Sequence, residues 1–117
     1  RVIVCEGFAT GASIHEATGD AVAVAFNAGN LQAVAQALHA EYPELTIVIA
    51  ADDDHMTDGN PGLTNAKAAA LAVGGFVVAP QFAAGRPAKA TDFNDLAGIA
   101  GLGAVGACFS EIWEFVC

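Results

Sequence analysis

Three acidic segments of this 117-residue chain have the residue types and spacing to do chemistry: Glu6-Gly7, Asp52-Asp53-Asp54 and Asp92-Phe93-Asn94-Asp95. Glu6 follows the apolar run Val2-Ile3-Val4-Cys5, and the three aspartates follow Thr46-Ile47-Val48-Ile49. Alternate residues of an extended segment point the same way, so Asp52 and Asp54 can face a common point while Asp53 turns away. Carboxylates held this close raise one another's pKa unless a cation relieves them. Hard divalent ions with oxygen ligands do so, and Mg²⁺ keeps several waters while using a few carboxylates and substrate phosphates.

Each segment also has a structural reading. Glu6 can be a helix-start acid, and the three aspartates can form a solvated turn. Asp92 can be an N-cap with Asp95 in the first helical turn, or the two can hold a second ion or position substrate. Asn27, Gly29 and Asn30 can cap a helix or offer N–H groups to a phosphate. Asp58-Gly59 reads as a plain turn. His55 is a weak metal candidate, and His15 and His39 read as helix-surface residues.

The elements that must position these residues alternate along the chain. The apolar runs are Val2–Cys5, Val22–Phe26, Thr46–Ile49 and Phe76–Val78. They are near-continuous, as strands buried on both faces are. Between them lie helix candidates over Thr10–Ala17, over Leu31–Tyr42 with Leu31, Val34, Ala35, Leu38 and Tyr42 on one face, and from Asn60-Pro61 to Gly74-Gly75. This β-α-β-α-β-α-β order predicts an open, mainly parallel sheet of about four strands with helices on both faces. In such a sheet, ligands bind at the carboxyl ends of the strands, which is where Glu6 and Asp52–Asp54 fall.

Gln81–Ala90 reads as a surface loop carrying Arg86 and Lys89, followed by a short helix from Asp92 to about Ala100. A last amphipathic helix places Val105, Cys108, Phe109, Ile112, Trp113 and Val116 on one stripe. The expected division is a catalytic unit over 1–101 and this helix over 102–117, which either belongs to the same domain or starts a following region.

Four Lys plus Arg against thirteen Asp plus Glu give a formal charge of −9, which argues against a self-sufficient phosphate-binding surface and against a stand-alone DNA-binding module. Charged residues are only 15% of the chain and 55% are hydrophobic, which argues against disorder. No apolar run approaches the ~18 residues of a membrane span. The odd, widely spaced Cys5, Cys108 and Cys117 fit buried thiols in a reducing cytoplasm better than a disulfide framework or zinc site. The chain starts at Arg1, without a methionine and directly inside an apolar run, as a piece of a longer protein would.

Taken together, these motifs resemble a Toprim domain, the catalytic fold shared by bacterial-type DNA primases, topoisomerases of types IA and II, and some nucleases and recombination proteins. The closer likeness is to the Toprim domain of phage- and plasmid-type primases and primase-helicases. It rests on Cys5-Glu6-Gly7-Phe8-Ala9-Thr10, Ala25-Phe26-Asn27-Ala28-Gly29-Asn30-Leu31, Ala51-Asp52-Asp53-Asp54, Asn60-Pro61-Gly62 and Thr91-Asp92-Phe93-Asn94-Asp95-Leu96, and covers roughly Val2 to Ala100. The resemblance implies Glu6 as general acid or base, and Glu6, Asp52, Asp54 and Asp92 as the site for Mg²⁺ or Mn²⁺ at a phosphoryl-transfer centre. It implies catalytic roles for Glu6, Asp52 and Asp54, with substrate contacts at Gly7, Asn27, Gly29, Asn30, Lys67, Asn94 and Asp95.

The chain departs from the family pattern after Asp54, where His55 to Asn60 intervene before the glycine that usually follows closely. Neither Gly59 nor Gly62 is carried over. The implied activity is RNA primer synthesis in DNA replication. Nucleoside triphosphates and a DNA template are engaged through other domains of a longer cytoplasmic protein, with a helicase as a further partner and no membrane. A Toprim nuclease or topoisomerase-like domain would use the same acids, and a non-catalytic assembly domain would not need them intact. A receiver-type phosphoacceptor domain would need an acid pair after its first strand and a lysine after its last, where this chain has Glu6-Gly7 and Ala79-Pro80.

Overall fold

Branched and small apolar residues packed two-sidedly give four short strands, β1 (Val2–Cys5), β2 (Ala21–Val24), β3 (Ile47–Ala50) and β4 (Phe76–Val78), in a computed structural model that describes residues 1–110. The sheet order is β2-β1-β3-β4 and every pairing is parallel. The two central strands, β1 and β3, are buried along their whole length. Edge strands β2 and β4 are partly exposed. The expected open parallel sheet is therefore present, with its four carboxyl ends along one edge.

The period of two along each central strand separates two cores. Val2 and Val4 of β1 with Ile47 and Ile49 of β3 face one side, where α2 (Leu31–Glu41) and α3 (Pro61–Val73) bury Leu31, Ala35, Ala66, Ala69 and Ala70. Ile3, Cys5, Val48 and Ala50 face the other side, covered by α1 (Phe8–Thr18), α4 (Phe93–Ala100) and α5 (Leu102–Ser110). There Phe93 and Phe109 stack with centroids 4.9 Å apart, in a tilted arrangement worth about 1 kcal/mol beyond area burial. Alanine does much of the packing against the sheet, so helices lie close to it. At Gly11 a Cβ would stand 3.0 Å from Cys5 Sγ and from Val24 Cγ2.

Several boundaries differ from the sequence expectation. β2 stops at Val24, and Phe26 lies outside it with φ +71 and 74% exposure. The amides of Ala25 and Phe26 still donate to the carbonyls of Cys5 and Glu6, at 2.8 and 2.7 Å. The chain then leaves the sheet through this left-handed residue, because Asn27 must be extended to cap the next turn. Tyr42 is not on the buried face of α2. Pro43 forces it out of helical geometry, and it caps the helix half-exposed. α1 starts two residues earlier than expected, at Phe8, and ends on left-handed Gly19.

Arg1 ties the opposite edge of the sheet together. Its Nε donates to Asp20 at 2.6 Å and its Nη1 to the carbonyl of Phe109 at 2.9 Å. Cys5 and Cys108 are free thiols, the first buried and the second half-buried. Ile112, Trp113, Val116 and Cys117, expected on the last helix, lie outside the described residues. No helix among the described residues is long and apolar enough to cross a membrane.

Candidate metal and phosphoryl-transfer site

Parallel pairing delivers the ends of β1, β3 and β4 to one edge, and the acids follow. Glu6 comes directly after β1 and Asp52 two residues after β3. Asp92 is brought alongside by a hydrogen bond from the Asp53 amide to the Thr91 carbonyl, 2.7 Å. Burial raises the Asp52 carboxyl first, and the negative charges of Glu6, Asp92 and Asp54 raise it further, to about 7. Its side chain lies beside that of Glu6. Asp52 Oδ1 is the one buried side-chain oxygen or nitrogen without a hydrogen-bond partner among the described residues. An orphaned carboxylate oxygen facing other carboxylates is a position that a hard cation fits.

The neighbouring acids are held by backbone donors. Asp54 Oδ2 accepts the Gly62 amide at 2.7 Å, at the first turn of α3. Asp92 caps α4, its Oδ1 accepting the Asp95 amide at 2.8 Å, while Asp95 Oδ2 accepts the amides of Thr91 and Asp92 at 2.9 and 3.2 Å. This reciprocal capping box leaves Asp92 raised above the ordinary carboxylate range, chiefly by burial, although the Thr10 hydroxyl also donates to it. For Asp95 the backbone hydrogen bonds outweigh burial, and its carboxyl is lowered. Among the described residues no three ligating side chains converge at metal-holding distance, and Asp54 and Asp92 each spend one oxygen on a backbone amide.

Asp53 faces away from this cluster, as alternation requires. Its Oδ1 accepts Asn60 Nδ2 at 2.7 Å and its Oδ2 accepts Arg86 Nη2 at 2.9 Å. Burial alone would raise its carboxyl, but these two donors and the Arg86 charge outweigh it and hold it below the usual range.

The other expected contact residues lie at the start of α1, on the turn after β2, and on α3 and α4. Gly7 caps α1. Asn27 Oδ1 accepts the Asn30 amide at 2.9 Å and Asn30 Nδ2 donates to the Ala25 carbonyl at 3.2 Å, so both hold the turn after β2 that includes Gly29. Asn94 Oδ1 accepts Ser13 Oγ at 3.0 Å and joins α4 to α1. Lys67 is exposed on α3. His15 and His39 are exposed on their helices, and the His55 ring reaches the Asp53 carbonyl, 3.3 Å away.

Three residues matter more than their sequence signals suggested. Asn60, expected as an N-cap, also accepts the Asp54 amide at 2.8 Å, so one side chain fastens both Asp53 and Asp54 to the start of α3. Gly62 is the closest-packed residue of the site: a Cβ would lie 2.6 Å from the Asp52 carbonyl and 2.7 Å from Asp54 Oδ2. The Asn-Pro-Gly order was its only signal, since the inserted His55–Asn60 stretch separates it from the aspartates. Thr10, buried on α1, had no signal beyond its place in the motif.

A family model for the Toprim domain matches residues 1–102. Two Escherichia coli proteins, each named DNA primase TraC, are similar to the chain. One is 52% identical over 91 residues, covering 74% of this chain and 9% of its own length. The other is 49% identical over 102 residues, covering 84% of this chain and 7% of its own length. The chain thus spans less than a tenth of these relatives. No solved structure matches it. With most of its length matched and the acids of three segments gathered on one sheet edge, the chain belongs to the Toprim family.

Proposed function

We propose that this chain is the metal-dependent phosphoryl-transfer domain of a DNA primase, joining nucleoside triphosphates into an RNA primer on a DNA template. The observation that carries the reading is the half-buried Asp52 carboxylate, whose buried Oδ1 has no hydrogen-bond partner and which faces Glu6, Asp54 and Asp92. Glu6, Asp52, Asp54 and Asp92 would hold Mg²⁺ or Mn²⁺, the ion drawing together carboxylates that do not converge without it. Such an ion supplies neutralisation of phosphate charge and a lower pKa for an attacking hydroxyl.

The chain's own residues do the rest. Glu6, beside Asp52, would act as general base and take the proton of the attacking primer hydroxyl as the new bond to phosphorus forms and pyrophosphate leaves. Asp54 is held in place by the Gly62 amide, and Asp92 by Thr10 and Asp95. The −9 charge means that the template is gripped elsewhere, by other domains of a longer protein. A helicase is a further partner on this reading, and the cytoplasm is where it acts.

Calorimetric titration of Mn²⁺ into the wild-type chain and Asp54→Ala tests the metal site, and equal binding by both would remove it. Activity is tested by placing residues 1–102 in a TraC primase in place of the matching segment. Primer synthesis retained by the chimera and lost on Glu6→Gln is the expected result. Undiminished synthesis by the Glu6→Gln chimera would refute the assignment.

A further inference from the structure

The loop after β4 builds a second feature beside the acids. Residues 79–86 wall a cavity of about 450 Å³ together with Leu63 and Asp53. Asp53 is the middle of the three consecutive aspartates, so the cavity opens next to the edge where Asp52 and Asp54 stand. Arg86 lies in its wall with its guanidinium 4.8 Å from the centroid of the Phe82 ring and one N–H group on Asp53 Oδ2. A guanidinium has five N–H donors, and the others have no protein partner among the described residues.

Asp53 and Phe82 therefore fix the fork without exhausting it. This is the arrangement that recognises phosphate, since a pre-oriented guanidinium presents paired donors to two oxygens. Of the other basic residues, Arg1 is tied to Asp20 at the opposite sheet edge, while Lys67 and Lys89 are exposed. Arg86 is thus the cation that the fold places in a walled cavity at the acidic edge.

We propose that this cavity is a nucleoside triphosphate site, with Arg86 binding the phosphates and Leu63, Pro80 and Phe82 providing an apolar wall for the base. Its volume lies within the range of small-molecule sites, about 300–1,000 Å³. A nucleic-acid strand is disfavoured as occupant, because a polyanion needs several cations in a row and this chain carries −9 overall. Asp53 acts as a positioning residue for Arg86. The inference rests on the primase reading for the use of the nucleotide, but its geometry involves neither Glu6 nor Asp52.

Fluorescence titration of a ribose-labelled ATP into the 117-residue chain, with Mg²⁺ and again with EDTA, tests it. Arg86→Ala is expected to weaken nucleotide binding by about 10- to 100-fold in both conditions, the loss typical of a hydrogen bond to a charged group. Arg86→Lys keeps a cation opposite Asp53, preserves the loop, and recovers part of the affinity. Binding of a labelled single-stranded oligonucleotide changes little in either variant. Nucleotide affinity unchanged in Arg86→Ala, no nucleotide binding by the wild type, or a loss confined to the oligonucleotide would each overturn the proposal. Mn²⁺ binding, followed in parallel on Asp54→Ala, separates a failed metal site from a failed nucleotide site, because the EDTA arm reads Arg86 alone.

Discussion

Asp52→Asn is expected to stabilise the metal-free chain at neutral pH while removing its response to metal. The folded-state carboxyl titrates near 7, against an ordinary value of 3.8. Between these values the native state holds a proton that the unfolded chain has released, so stability falls as pH rises from about 4 to about 7 and levels off above. A shift of about 3 units corresponds to at most ~4 kcal/mol. Asp52 is only half-buried, so solvent screening reduces this to about 2 kcal/mol.

Asparagine has the same shape, carries no charge, and can donate to Glu6 where aspartate repels it. For a chain of this length about 2 kcal/mol corresponds to a rise of roughly 8 °C in thermal midpoint. The assay is thermal unfolding by circular dichroism in EDTA at pH 4.5 and pH 8, repeated at pH 8 with increasing Mg²⁺. The variant should exceed wild type at pH 8 and approach it at pH 4.5. Added Mg²⁺ should raise the wild-type midpoint and leave the variant's nearly unmoved. A variant less stable than wild type in EDTA at pH 8, or an advantage equal at both pH values, would refute the argument that Asp52 is a desolvated, repelled carboxylate.

Gly62→Ala drives a Cβ to 2.6 Å from the Asp52 carbonyl, and overpacking of this kind costs about 1–3 kcal/mol in a denaturant titration, together with a loss of Mn²⁺ affinity. Gly98→Ala on α4, where nothing lies within 4 Å of the new Cβ, serves as the control and is expected to gain about 0.5–1 kcal/mol. Asn60→Ala removes an N-cap and the fastening of both Asp53 and Asp54, and a loss of about 2 kcal/mol or more by chemical denaturation is expected; a loss near zero would show that the loop is held by other contacts. Cys5, whose thiol is pushed up to about 12 chiefly by burial, should resist iodoacetamide in the native state at pH 8 and react on unfolding, as followed by peptide mass spectrometry. Rapid native labelling at Cys5 would contradict its packing against α1.

The two-sided burial of β1 and β3 was legible because Val2–Cys5 and Ile47–Ile49 of the run from Thr46 leave no polar position for a solvent face, although β3 itself runs from Ile47 to Ala50. The caps of α3 and α4 were equally legible, since Asn60-Pro61 and Asp92 with Asp95 are local hydrogen-bond patterns that need no distant partner. Phe26 was misplaced for the opposite reason. An aromatic after Val22–Ala25 continues a strand pattern, and its turn outward depends on its left-handed backbone ahead of the extended, capping Asn27. Tyr42 fitted the helical stripe, and only the backbone restriction imposed by Pro43 removed it.

By itself, the sequence determined that carboxylates from separate strand ends meet on one edge, because parallel strands linked by helices put all their carboxyl ends on the same side. The opposite directions of Asp52 and Asp53 were likewise set by the period of an extended chain. What each acid does there was decided by tertiary structure. Asp52 is orphaned because the fold removes it from water beside Glu6 and Asp92, and Gly62 lies beneath it because α3 starts hard against the Asp52 carbonyl. Arg86 meets Asp53 across 33 residues of chain. Local patterns carry no information about a contact at that separation, since its energy depends on how the loop after β4 folds back over the sheet edge.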